Sequence, residues 1–114
     1  MATRRATRVR AKTLVKVGLI GGNMTFAAPL HDISPFGLSV KTSREVPIGT
    51  IFRLGIKVGA DYFRAAAVVR AKFPGGLGLE FIAMAPVDHQ TVRRLYLRLQ
   101  MAARAEEASL PSPK

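Results

Sequence analysis

Two short clusters in this 114-residue sequence hold the side chains best placed to do chemistry. The first is basic: Arg4 and Arg8 form Arg-x-x-x-Arg, with Arg5 beside them. A terminal run of arginines reads as a solvated arm, or as an arm drawn to nucleic acid. The second cluster is His31-Asp32-Ile33-Ser34-Pro35-Phe36-Gly37-Leu38, which sets an acid, a hydroxyl and a glycine on one turn. Taken alone it is a structural turn, since Asp and Ser bond their own backbone there and Gly accepts strained dihedrals.

Other chemistries fail on inspection. Cysteine is absent, which excludes disulfides, thiolate metal sites and cysteine nucleophiles. His31 and His89 lie far apart, and no serine stands in a strand-turn-helix context that would make His31-Asp32 a catalytic pair. Gly18, Gly21 and Gly22 precede neither a helix pattern nor Lys-Ser/Thr, so they are hairpin glycines and not a phosphate loop. Arg93, Arg94 and Arg98 read as a solvated helical face. No enzyme, metal or cofactor is expected.

The charge balance points to an anionic partner. Eighteen Lys and Arg against seven Asp and Glu leave +11, and six of those cations lie between Met1 and Lys16. A composition 48% hydrophobic and 22% charged is that of a folded single domain. No stretch approaches the roughly 20 apolar residues of a membrane helix. The basic start lacks a signal peptide's apolar run, so a cytoplasmic protein is expected.

The elements that must position the clusters follow from periodicity. Apolar residues alternate with polar ones at Val15, Val17 and Leu19, again at Leu38 and Val40, and most clearly at Phe52, Leu54, Ile56 and Val58. Gly59-Ala60-Asp61 turns that last run into Phe63, Ala65, Ala67 and Val69, and Pro74-Gly75-Gly76 turns into a strand with Leu79, Phe81 and Ala83 inward. Between Met24 and Ile33, Pro29 marks an edge or a bulge. Pro86, Asp88 and the spacing of Val92, Leu95, Tyr96 and Leu99 predict a terminal amphipathic helix. The expected architecture is all-β with a terminal helix. A basic flexible leader covers 1–11, a six-stranded antiparallel barrel 12–85, the helix 86–107 and a disordered tail 108–114.

Arg4 with Arg8, then Asp32, Ser34 and Gly37 as Asp-x-Ser-x-x-Gly, then Gly76-Leu77-Gly78-Leu79-Glu80-Phe81 and a terminal helix, occur in an order that resembles the PilZ domain family of bacterial cyclic di-GMP receptors. The resemblance covers about residues 4 to 100. With only three residues before Arg4, a stand-alone member is expected. The resemblance implies that Arg4 and Arg8 hold phosphates and a guanine edge, with Arg5 auxiliary. It further implies that Asp32 and Ser34 face a guanine, and that Gly37 lets the backbone come close.

The function so implied is a cyclic di-GMP receptor whose leader orders over the nucleotide and signals to an effector protein in motility, secretion or biofilm control. Self-repulsion among Arg4, Arg5, Arg8 and Arg10 would keep an empty leader open. Two other readings stand beside it. One is a barrel binding RNA or DNA nonspecifically through the leader, against which the 7% aromatic content and absent Trp argue, so nucleic acid is not the expected partner. The other is a PilZ-like protein-interaction adaptor that binds no nucleotide and works through its helix.

Overall fold

The computed structural model describes residues 7–11 and 14–109, with side chains through residue 105. Strand β1 is Val9–Arg10, β2 Lys16–Gly21, β3 Met24–Ser34, β4 Gly37–Lys41, β5 Ile51–Val58, β6 Asp61–Phe73 and β7 Gly76–Ala83, and helix α1 is Pro86–Ser109. All pairings are antiparallel. Strands β2 to β7 close into the expected six-stranded barrel, and β1 adds to β3 outside it.

The barrel is two three-stranded meanders, β2–β3–β4 and β5–β6–β7, joined along two seams. One seam pairs β2 with β5 through Val17↔Ile56 and Leu19↔Leu54. The other pairs β4 with β7 through Leu38↔Leu79 and Val40↔Leu77. Tight turns make the meanders local, and at Gly22 and Gly59 the turn requires the positive φ (58° and 61°) that glycine adopts without a Cβ clash.

Alternation fixes the core. Val17, Leu19, Phe52, Leu54, Ile56, Phe63, Leu77 and Leu79 point inward and are buried. Phe52 and Phe63, the largest of them, each contribute about 1.5–3 kcal/mol by leaving water. Ala83, expected inward, is exposed, while Phe81 is half-buried.

The long strands β3 and β6 serve both halves of the barrel, and each bends at a bulge. On β3 the register slips between Leu30 and Asp32, leaving His31 unpaired in the ladder two residues after Pro29. On β6 it slips between Val69 and Ala71. The N-terminal half of each strand therefore faces one side of the molecule and the C-terminal half the other.

Helix α1 packs on β6 and β1 through buried Val92, Leu95 and Tyr96. It extends to Ser109 and not to Glu107, past the expected boundary. Nor is the expected leader loose throughout. Val9 is buried and pairs with Ile33, Ala11 donates its amide to the His31 carbonyl, and the Tyr96 hydroxyl donates to the Thr7 carbonyl. An apolar side chain and two backbone partners fix residues that charge repulsion alone would free. Among the described residues no helix is long and apolar enough to cross a membrane.

Candidate ligand-binding site

Arg10↔Asp32, Asp32↔Ser39, Ser39↔Gly78 and Gly78↔Ala71 form one row of register partners across β1, β3, β4, β7 and β6. The row lies on the outer face, because the flanking Leu38, Val40, Leu77 and Leu79 fill the core. Its small residues leave an open cavity of about 320 Å³ lined by Arg8, His31, Asp32, Ser39, Ala71, Phe73 and Gly78.

Polar groups converge on Asp32. The Arg8 Nη1 donates to Asp32 Oδ1 at 3.0 Å, and the Ser39 Oγ donates to the same oxygen at 2.6 Å. Ser39 is buried, so it fixes the carboxylate firmly, whereas the Arg8 side chain remains 46% exposed and able to move. One carboxylate oxygen thus takes both donors, which leaves Oδ2 for a donor from solution. The His31 ring lies 5.9 Å from the Phe73 ring, and among the described residues its buried Nδ1 has no hydrogen-bond partner. Such an orphaned polar atom carries a desolvation penalty.

Of the residues singled out from sequence, the structure brings Arg8 and Asp32 together. Arg4 and Arg5 lie outside the described residues. Ser34 is buried in the β3–β4 turn, where its Oγ accepts the Phe36 amide at 3.2 Å and donates to the Gly37 carbonyl at 3.5 Å. Gly37 sits under β7, and a Cβ there would stand 2.3 Å from the Leu79 carbonyl oxygen. Neither lines the cavity. Ser34→Ala is accordingly expected to destabilise the fold by about 1 kcal/mol, read as a melting temperature several degrees lower. An unchanged melting temperature would place the hydroxyl's role outside the turn.

Ser39 and His31 are the residues that sequence reasoning passes over. A signal for Ser39 exists, since it is the polar position between core-facing Leu38 and Val40. His31 enters through a bulge that periodicity does not announce. Among the described residues no group of three or more His, Asp or Glu is placed to hold a metal.

Comparison with known proteins bears first on the fold. A family model described as PilZ domain matches residues 2–98. The PilZ domain of YcgR from Escherichia coli, solved with cyclic di-GMP, superposes with a TM-score of 0.76 at 18% identity, covering 96% of this chain and all (100%) of that one. The inhibitor of motility MotI/DgrA of Bacillus subtilis gives 0.73 at 21% identity over 88% of this chain, which spans only 53% of that protein. The PilZ domain of CeSA from a cellulose-synthesizing bacterium gives 0.68 at 16% identity, covering 83% of this chain and 99% of that one. No curated protein matches the sequence.

Proposed function

The chain belongs to the PilZ domain family, whose members are binding and adaptor modules, and from that footing we propose that it is a receptor for cyclic di-GMP that passes the signal to a partner protein. The observation that carries this reading is the Arg8–Asp32–Ser39 constellation at the mouth of the cavity, with a described part of the basic leader already against it. The YcgR domain that shares this fold was solved with the same nucleotide.

Each group has a task that follows from its chemistry. The Asp32 carboxylate accepts hydrogen bonds from the N1 and N2 hydrogens of a guanine, with Ser39 holding its other oxygen in place. The Arg8 fork spans a phosphate or the guanine O6/N7 pair, and Arg4 and Arg5 add charge-assisted contacts from the leader. The row of Ser39, Gly78 and Ala71 gives a planar base room to lie against the sheet. Ser34 and Gly37 support the site by shaping the β3–β4 turn that carries Asp32 and Ser39.

Tyr96 supplies the route outward. Its hydroxyl holds the Thr7 carbonyl next to Arg8, so a displacement of the leader acts on α1 through that bond. The partner protein then reads the leader, the helix, or both.

Isothermal titration with cyclic di-GMP, with GTP and cyclic di-AMP as controls, tests the reading. The expected result is a Kd of 1 μM or tighter, about −8 kcal/mol, with strict preference for the guanine dinucleotide. Folded protein that takes up no cyclic di-GMP into the millimolar range overturns it.

A further inference from the structure

On the opposite side of the barrel, the first halves of β3 and β6 join β2 and β5 in a second concave surface. Register partners Ala27↔Gly18 and Gly18↔Gly55 give it a floor without side chains beyond a methyl group. Gly55↔Arg64 continues that row to a guanidinium at its end. Cations flank the floor on both sides: Arg53 stands along one wall beside Ile20 and Thr25, and Lys16 and Lys57 along the other. The trough encloses about 790 Å³, and among the described residues no acidic one lines it.

Among the described residues Lys16, Arg53, Lys57 and Arg64 make no ion pair, while Asp32, Glu45, Asp61 and Glu80 each bind a cation elsewhere. Asp88 accepts the Arg64 backbone amide and does not line the trough. Tyr62, 52% exposed, leans over the floor at Gly55 with the Arg64 guanidinium 6.0 Å from its ring centre.

At Gly55 a Cβ would stand 3.1 Å from the Tyr62 hydroxyl, so that glycine makes room for Tyr62, whereas the bare backbone at Gly18 is not something the barrel needs. Gly18 has no positive φ, and a Cβ there would meet its first neighbour, the Gly55 carbonyl oxygen, at an ordinary 3.7 Å. A glycine inside a strand weakens it, and one that packing does not demand marks a close approach by something else.

We propose that this trough binds single-stranded nucleic acid, with the sugar-phosphate chain lying along the Ala27–Gly18 floor between Arg53 and the two lysines and a base stacked on Tyr62 where it covers Gly55. From strand rise, the Cα atoms of Arg53 and Lys57 stand about 13 Å apart, so the flanking cations are spaced for one extended strand and not for a duplex. Cations tracking a backbone beside an exposed aromatic ring are the means by which proteins bind single strands without reading sequence. A concave floor suits a threaded chain and does not suit a flat bilayer.

The test uses fluorescence anisotropy of the full chain with labelled 15-mers of deoxythymidine and uridine. Binding is expected to weaken with salt at a log–log slope of about −3, four phosphates at roughly 0.7 each. Gly18→Thr changes no charge and adds a residue that favours strands, so its melting temperature should hold or rise while oligonucleotide affinity falls at least tenfold. The double charge reversal of Lys16→Glu with Lys57→Glu, both exposed, should do the same. Either variant should bind cyclic di-GMP as the parent does, since the two surfaces face opposite ways. Parent-like oligonucleotide binding by Gly18→Thr would assign that binding to the leader and overturn the proposal. So would capture of phosphatidylglycerol vesicles without oligonucleotide binding, or binding of neither.

Discussion

Arg8→Ala is expected to weaken cyclic di-GMP binding between tenfold and somewhat over a hundredfold, about 1.5–3 kcal/mol, with little change in folding. The loss follows from removing a charged fork whose contacts with a phosphate or a guanine edge are individually worth that much. The small effect on stability follows from exposure: the Arg8 side chain is 46% exposed and its bond to Asp32 is a surface pair, worth roughly 0–1 kcal/mol. Ser39 continues to satisfy the Asp32 carboxylate in the variant. Arg8→Lys should recover only part of the affinity, because an ammonium supplies charge without the planar pair of donors. Titration and thermal melting on the same samples decide the matter. If Arg8→Ala binds like the parent, the nucleotide does not sit between the leader and Asp32.

Gly37→Ala is expected to act through the fold. A Cβ at this position is built 2.3 Å from the Leu79 carbonyl oxygen and 3.2 Å from the Glu80 Cα, both backbone atoms of β7. Relief requires β4 and β7 to part along one of the two seams that close the barrel. Overpacking of this kind costs about 1–3 kcal/mol, which in a domain of this size lowers the melting temperature by roughly 5–15 °C. At low temperature the fraction still folded should bind cyclic di-GMP within about threefold of the parent. A parent-like melting temperature combined with lost binding would instead show that the glycine serves the ligand directly.

The Gly37 case shows what the sequence could tell and what it could not. Its spacing from Asp32 and Ser34 is visible in the one-dimensional pattern, and the resemblance reads a glycine there as bringing the backbone close to a ligand. Which group approaches depends on β4–β7 pairing across some forty residues of chain, and in the structure it is the backbone of β7. Alternation at Phe52, Leu54 and Ile56 revealed the barrel because it is a local property of each strand. The leader was harder to read: a run of cations suggested looseness, yet Val9 and the Thr7 carbonyl are held by partners on β3 and α1. Ser39 falls at the polar position between Leu38 and Val40, but its pairing with Asp32 depends on where the bulge at His31 falls. The basic trough was invisible for the same reason. Lys16, Arg53 and Arg64 become neighbours only when β2 finds β5 and β5 finds β6.

Both surfaces lie across the joins between the two meanders, and this gives any bound molecule a mechanical role. The first meander contributes Asp32 and Ser39 to one surface and Lys16, Gly18 and Ala27 to the other. The second contributes Ala71, Phe73 and Gly78, and Arg53, Gly55, Lys57, Tyr62 and Arg64. A ligand on either side is therefore a clasp, touching both halves and recognising neither alone. Whatever prefers the closed barrel adds RT ln(1 + [L]/Kd) to its closure, about 2.7 kcal/mol at a hundredfold excess over Kd. The connection from Thr42 to Thr50 is the only covalent link between the meanders. Were it cut, each fragment would carry half of each surface, and the ligand itself would become the agent that rejoins them.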